Sequence, residues 1–140
     1  MMPRNVEVLE LIRVHDIDNV MPKTIIKYMP NIKLLMIECL SYKERNSLDN
    51  FSKLECLTSC NYCPIRIPRT LKLLAFVFVY GHWAVKSDDL VFTDNVIKSH
   101  YEKFTKRISD NSDARDRYIL FNDIHYWHLY KCAIQKYFNY

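Results

Sequence analysis

The sequence predicts an α/β fold, a parallel sheet of about four short strands joined by shrinking returns and closed by C-terminal helices. Three observations carry this. A pattern of apolar, two residues, apolar, one residue, apolar or small recurs four times, as Val6-Leu9-Leu11, Ile32-Leu35-Ile37, Leu54-Leu57-Ser59 and Leu71-Leu74-Phe76. Prolines stand just upstream of three copies, at Pro3, Pro30 and Pro68. After Gly81 the apolar spacing changes to the helical period. The expected organisation is therefore residues 1–82 as repeated units and residues 83–140 as a helical cap, both within one compact domain.

In an extended segment, alternate residues face the same way. Leu9 and Leu11, Leu35 and Ile37, Leu57 and Ser59, and Leu74 and Phe76 then point into a core. Their neighbours form a second face: Val8, Glu10 and Ile12, then Leu34, Met36 and Glu38, then Cys56, Thr58 and Cys60, then Leu73, Ala75 and Val77. That face is mostly apolar, so it is either covered by another part of the chain or left as an interaction site. The first return, residues 22–29, opens with Pro22 and spaces Ile25, Ile26 and Met29 helically, which predicts a short helix. The second, SYKERNSLDNF, is polar with at most a single turn, and the third, YCPIRIP, is held extended by two prolines. Residues 94–108 place Ile97, Tyr101, Phe104 and Ile108 at helical steps behind Asp94 as a cap. SDNSDARD reads as a polar linker. A second helix is expected from about Tyr118 to Tyr140, burying Phe121, Ile124, Trp127 or His128, Ile134 and Phe138. This tail either caps the end of the stacked units or folds back on the second strand face.

The segments MPRNVEVLEL, MPNIKLLMI and IPRTLKLLAF resemble leucine-rich repeats, in particular the degenerate kind of large viruses and protists, over roughly residues 3–80. The steps between copies are 26, 22 and 17 residues, uneven for such repeats, and the usual asparagine has only Asn61 as a candidate. The resemblance implies a short solenoid that acts as a non-enzymatic protein-binding module, with another protein as partner and no cofactor. The expected contact residues are Glu10, Met36, Glu38, Thr58 and Cys60, the polar or adaptable members of the apolar strand face.

Composition limits the alternatives. The chain has 140 residues, 49% of them apolar and 26% charged, which suits one globular core. A single glycine, Gly81, removes the usual means of building phosphate-cradling loops and nucleophile elbows. The apolar run at residues 73–81 is too short to span a bilayer, and the acidic N-terminal stretch does not suit a signal peptide. An intracellular location with reduced thiols follows as the expectation, in agreement with five cysteines, an odd number. Abundant Ile, Asn, Lys, Tyr and Phe point to an AT-rich genome. A net charge of +4 spread along the chain gives only a diffuse electrostatic footprint, so nucleic acid is not the expected partner. The same holds for Tyr126, Tyr130, Lys131, Lys136 and Tyr137, which helix amphipathicity explains better than base stacking.

The competing reading is a metal protein. CLTSCNYC, residues 56–63, resembles the cysteine motif of radical S-adenosylmethionine enzymes, and by that resemblance Cys56, Cys60 and Cys63 would hold an iron–sulfur cluster. A structural zinc site could use the same three thiolates with Cys39 as the fourth. Against both, the chain lacks the glycine-rich stretch and the length of those enzymes, and Cys56 and Cys60 already fit a strand, where cysteine packs as a small apolar residue. His125 and His128 are spaced for one helix face but have only Cys132 at the next turn. Asp88, Asp89, Asp94 and the group Asp110, Asp113 and Asp116 lack the glycine and closing glutamate of a calcium loop.

Overall fold

A computed structural model of the chain describes residues 5–15, 17–39, 44, 46–60, 66–79, 102–112 and 115–138. Among them are strands β1 (Val8–Val14), β2 (Leu34–Cys39), β3 (Cys56–Cys60), β4 (Leu73–Val79), β5 (Lys106–Ser112) and β6 (Arg115–Phe121). Helices α1 (Val20–Tyr28) and α2 (Ile124–Phe138) and a single 3-10 turn at Ser47–Asn50 complete the described elements. The strands form one sheet in the order β1-β2-β3-β4-β6-β5. The first four run parallel, while β6 lies antiparallel to β4 and β5 antiparallel to β6.

The four parallel strands are the four copies of the sequence pattern, aligned on equivalent residues. Leu9 stands beside Leu35, Leu35 beside Leu57 and Leu57 beside Leu74. The junctions repeat as well. The carbonyl of Glu7 accepts the amides of Lys33 and Leu34, that of Lys33 accepts those of Glu55 and Cys56, and that of Glu55 accepts those of Lys72 and Leu73. Uneven spacing in sequence thus becomes uniform register in space, because the differences are absorbed by the returns. The first return carries α1, started by the Asp18 carboxylate, which accepts the amides of Val20 and Met21. The second shrinks to the 3-10 turn, against which α1 packs.

The sheet continues beyond the expected four strands. Residues expected as the end of a helix and as part of a polar linker, 106–112 and 115–116, belong instead to the paired strands β5 and β6. Their pairing runs from Lys106 opposite Phe121 to Ser112 opposite Arg115. Hydrogen bonding along the free edge of β4 supplies the template for β6, and an edge hairpin tolerates polar residues that local pattern assigns to a loop. The last helix is correspondingly shorter than expected, since residues 118–121 are strand and α2 begins only after Asp123, whose carboxylate accepts the amide of His125. Of the residues expected in its core, Phe121, Ile134 and Phe138 are buried, Trp127 is half-buried, and Ile124 and His128 are exposed. Residues 94–101 of the earlier expected helix lie outside the described residues.

Both faces of β2, β3 and β4 are buried. On one, Leu35, Ile37, Leu57, Ser59, Leu74 and Phe76 have at most 1% of their surface exposed. On the other, Leu34, Met36, Cys56, Thr58, Leu73 and Ala75 are equally inaccessible. Helix α2 packs on β3, β4 and β6 and crosses this second face. Tyr130 donates a hydrogen bond from its hydroxyl to Glu55 Oε2 at 2.6 Å and interacts electrostatically with Cys56, while Arg117, in register with Val77, donates from Nη2 to the Phe138 carbonyl at 3.2 Å. Of the two places open to the tail, it takes the strand face. No helix among the described residues is long and apolar enough to cross a membrane.

Candidate interaction surface

The expected contact residues fall into three groups. Met36 and Thr58 are corrected: with 1% and 0% of their surface exposed beneath the covered face, they are out of reach of a partner. The physical reason is the one that made the face look like a binding site, since an apolar sheet face is stabilised by cover and the chain supplies its own, α2 lying over β3, β4 and β6. Glu10 is exposed and Glu38 half-buried, so these two remain at the surface. Cys60 ends β3, and its side chain lies outside the described residues.

The cover stops short of β1. Val8 and Ile12, which continue the second face onto this strand, keep 45% and 42% of their surface exposed, and Glu10 between them is exposed too. β1 pairs with β2 alone among the described strands. Its course is irregular. β1 advances from Leu11 to Val14 while β2 advances only from Ile37 to Cys39, so Ile12 and Arg13 together face Glu38. Arg13 has φ 54°, a left-handed value unusual for a residue with a Cβ, and is exposed. Neither the Glu10 nor the Arg13 side chain has a hydrogen-bond or ion-pair partner among the described residues. The result is an edge strand whose four exposed side chains are two apolar ones, Val8 and Ile12, and two charged ones, Glu10 and Arg13.

The rim where the parallel strands begin carries alternating charge: Glu7, Lys33, Glu55 and Lys72 occupy equivalent positions of the four copies. Lys33 Nζ lies 2.8 Å from Glu7 Oε1, and the two charges of Glu7 and Glu55 flanking Lys33 raise its pKa, Glu7 most. Asn31 and Lys53, equivalent positions of the second and third copies, are joined at 2.6 Å. Glu55 is closed off by Tyr130, whose own ionisation is pushed up chiefly by burial and then by the hydrogen bond to Glu55. Beyond Lys72 the alternation ends, and Lys103 bonds to the Arg69 and Leu71 carbonyls, its pKa lowered by burial and by Lys72. These contacts tie repeats to one another and α2 to the sheet.

For the metal reading, Cys56 is described and its partners are not. It is fully buried in the interface between α2 and the sheet, and burial first, then the Glu55 charge, pushes its thiol well above the ordinary range. A thiol held protonated in an apolar setting is poorly prepared for metal, which takes the thiolate. The side chains of Cys39 and Cys60 and all of Cys63 lie outside the described residues. Among the described residues, no group of three His, Cys, Asp or Glu side chains converges to hold an ion. His125 and His128 are exposed on α2.

Sequence reasoning named Tyr130 only as one of the tail's aromatic residues and missed its contact with Glu55, and it missed Arg13. The contact was legible in part, since Glu55 occupies the rim position of the repeat, but its partner lies 75 residues away in sequence. The bulge at Arg13 left no local signal, because arginine is not a residue that marks a left-handed position. Compared with protein-family models, with curated proteins and with solved structures, the chain matches none.

Proposed function

We propose that the protein is a non-enzymatic protein-binding module of leucine-rich-repeat type, a short solenoid whose own C-terminal helix covers most of the strand face and whose free strip along β1 meets the partner. The single observation that carries this reading is the contrast within one face: Leu34 and Met36 on β2 are sealed, whereas Val8 and Ile12 on the adjoining strand stand 45% and 42% exposed around an exposed Glu10. Large apolar side chains at a strand edge are an attachment line for another chain, since the edge supplies backbone hydrogen bonds and alternate side chains supply selectivity. The equivalent register of four successive parallel strands supports the repeat reading.

The test is capture from an extract of the source cells. Wild-type protein should retain a partner that the triple variant Val8→Ala, Glu10→Ala and Ile12→Ala loses, while Lys136→Ala on the exposed side of α2 keeps it. Retention unchanged in the triple variant, with its fold intact by circular dichroism, would remove the strip from the proposal.

A further inference from the structure

We infer that the β1 strip binds a second copy of this chain, by antiparallel pairing of β1 with β1 about a two-fold axis at Leu11. The inference rests on the protein-binding reading above and names its partner.

The two edges of the sheet differ. β5 presents KRISDNS, in which Lys106, Arg107 and Ser109 are exposed, a charged edge of the kind that resists pairing. β1 presents VLELIRV, with one acid, one base and apolar residues elsewhere. An edge of that composition is a template for another strand. What selects this chain as the occupant is its charge pattern. In an antiparallel pair centred on Leu11, which lies opposite its own copy, the two bulge residues Ile12 and Arg13 together lie opposite Glu10 of the other chain, and Val14 lies opposite Leu9. The pairing of Glu10 with Arg13 is thus made twice, as a two-fold interface requires.

The bulge is what makes these pairings possible. In a regular strand, Glu10 and Arg13 are an odd number of residues apart and point to opposite faces, so they could not meet across a two-fold axis. Here Val14 is in register with Cys39, an even number of residues from Leu35 and Ile37, so Val14 shares the face of Leu9 and Leu11. Arg13 is thereby turned to the face of Glu10. The exposures agree, since Leu9 and Val14 are half-buried while Glu10 and Arg13 are exposed. A left-handed arginine at φ 54° is thus the backbone feature that converts an unmatched strand into a self-complementary one. Two such short strands bury less surface than a permanent interface needs, so the dimer is expected to be concentration-dependent, with a dissociation constant in the range of about 1–100 µM.

The experiment is sedimentation equilibrium at loading concentrations up to about 500 µM on four samples: wild type, Glu10→Arg, Arg13→Glu, and an equimolar mixture of the two variants. The wild type should dimerise. Each variant alone sets like charges opposite each other at two places and should associate at least about tenfold more weakly. The mixture should recover dimers, because both facing pairs then join an arginine of the Glu10→Arg chain to a glutamate of the Arg13→Glu chain. Circular dichroism of each variant confirms its fold, and recovery in the mixture is itself a sign that both are folded. A monomeric wild type, association that neither variant weakens, or a mixture that stays monomeric would each overturn the inference. If the wild type is monomeric yet the capture experiment still depends on Val8, Glu10 and Ile12, the protein-binding reading stands with a different partner. If both fail, both fall.

Discussion

At the scale of single residues, the interface between α2 and the sheet contrasts a well-matched polar contact with an unmatched group. The matched one is Tyr130 with Glu55. Replacing Tyr130 by Phe leaves the half-buried carboxylate without its donor and is expected to cost about 2 kcal/mol in urea unfolding at neutral pH. The pH dependence gives a second check. Tyr130 is held protonated more firmly in the folded chain than in the unfolded one, where a phenol titrates near about 10. Its stabilisation is therefore complete below about pH 10 and declines as pH rises beyond it, so the difference between wild type and Tyr130→Phe should narrow on the alkaline side. A difference that stays constant to about pH 11 would mean that the hydroxyl does not titrate as this linkage requires. The unmatched group is Thr58, whose Oγ1 is buried with no hydrogen-bond partner among the described residues. Thr58→Val keeps the shape, removes the desolvated hydroxyl, and should raise stability by about 1 kcal/mol. Cys56 and Cys132 make the same contrast in reactivity. An alkylating reagent should modify exposed Cys132 in the native protein and reach Cys56, buried and held as the thiol, only on unfolding. Rapid native labelling of Cys56 would show that α2 does not seal the face.

At the scale of elements, α2 and β1 are the two parts whose roles go beyond packing. Ile134 is fully buried at the centre of the cover, and Ile134→Ala should destabilise the protein by about 3 kcal/mol while increasing the binding of a hydrophobic dye, as the sheet face beneath is loosened. At the bulge, Arg13→Gly removes the Cβ from a left-handed position. It should raise folding stability by about 1 kcal/mol yet weaken self-association, separating the needs of the fold from those of the interface. The parts of this scheme that are legible in sequence are those with local cause. The apolar positions of Leu9, Leu35, Leu57 and Leu74 fix the strands, and Pro22 with Ile25, Ile26 and Met29 marks α1. What is not legible depends on distant chain. The spacing of Ile108 from Phe104 is helical, but pairing with Ile119 on β6 overrides a local period that one turn of helix could not defend. Met36 and Thr58 look like contacts because a strand's two faces read alike in sequence. Only the packing of distant chain, α2 on β3 and β4 among it, shows that solvent reaches neither face at these positions.

At the scale of the whole molecule, the sheet is built by nearest-neighbour addition, and its stability should be graded accordingly. The core strands β2, β3 and β4 are paired on both edges and buried on both faces, so exposing any of their amides requires removing α2, the returns or a neighbouring strand. β1 and β5 have one paired edge each, and their outward residues are exposed, Ile12 and Ile108 among them at 42% and 37%. Opening either edge strand sacrifices little buried apolar surface, because Leu35 and Leu57 or Leu74 and Leu120 remain packed behind it. Native-state hydrogen exchange should therefore show the amides of Leu57, Thr58, Leu74 and Ala75 exchanging only through global unfolding, and those of β1 and β5 through openings that are local and far less costly. Self-association through β1 adds a condition that a simple gradient lacks. If two copies pair there, protection of β1 rises with protein concentration while protection of β5 does not, since only β1 gains backbone partners in the dimer. Equal protection of the two edges at every concentration would leave the sheet with two ordinary ends. A concentration-dependent rise confined to β1 would show that the same strand which is the weakest part of the monomer is the part completed by its copy.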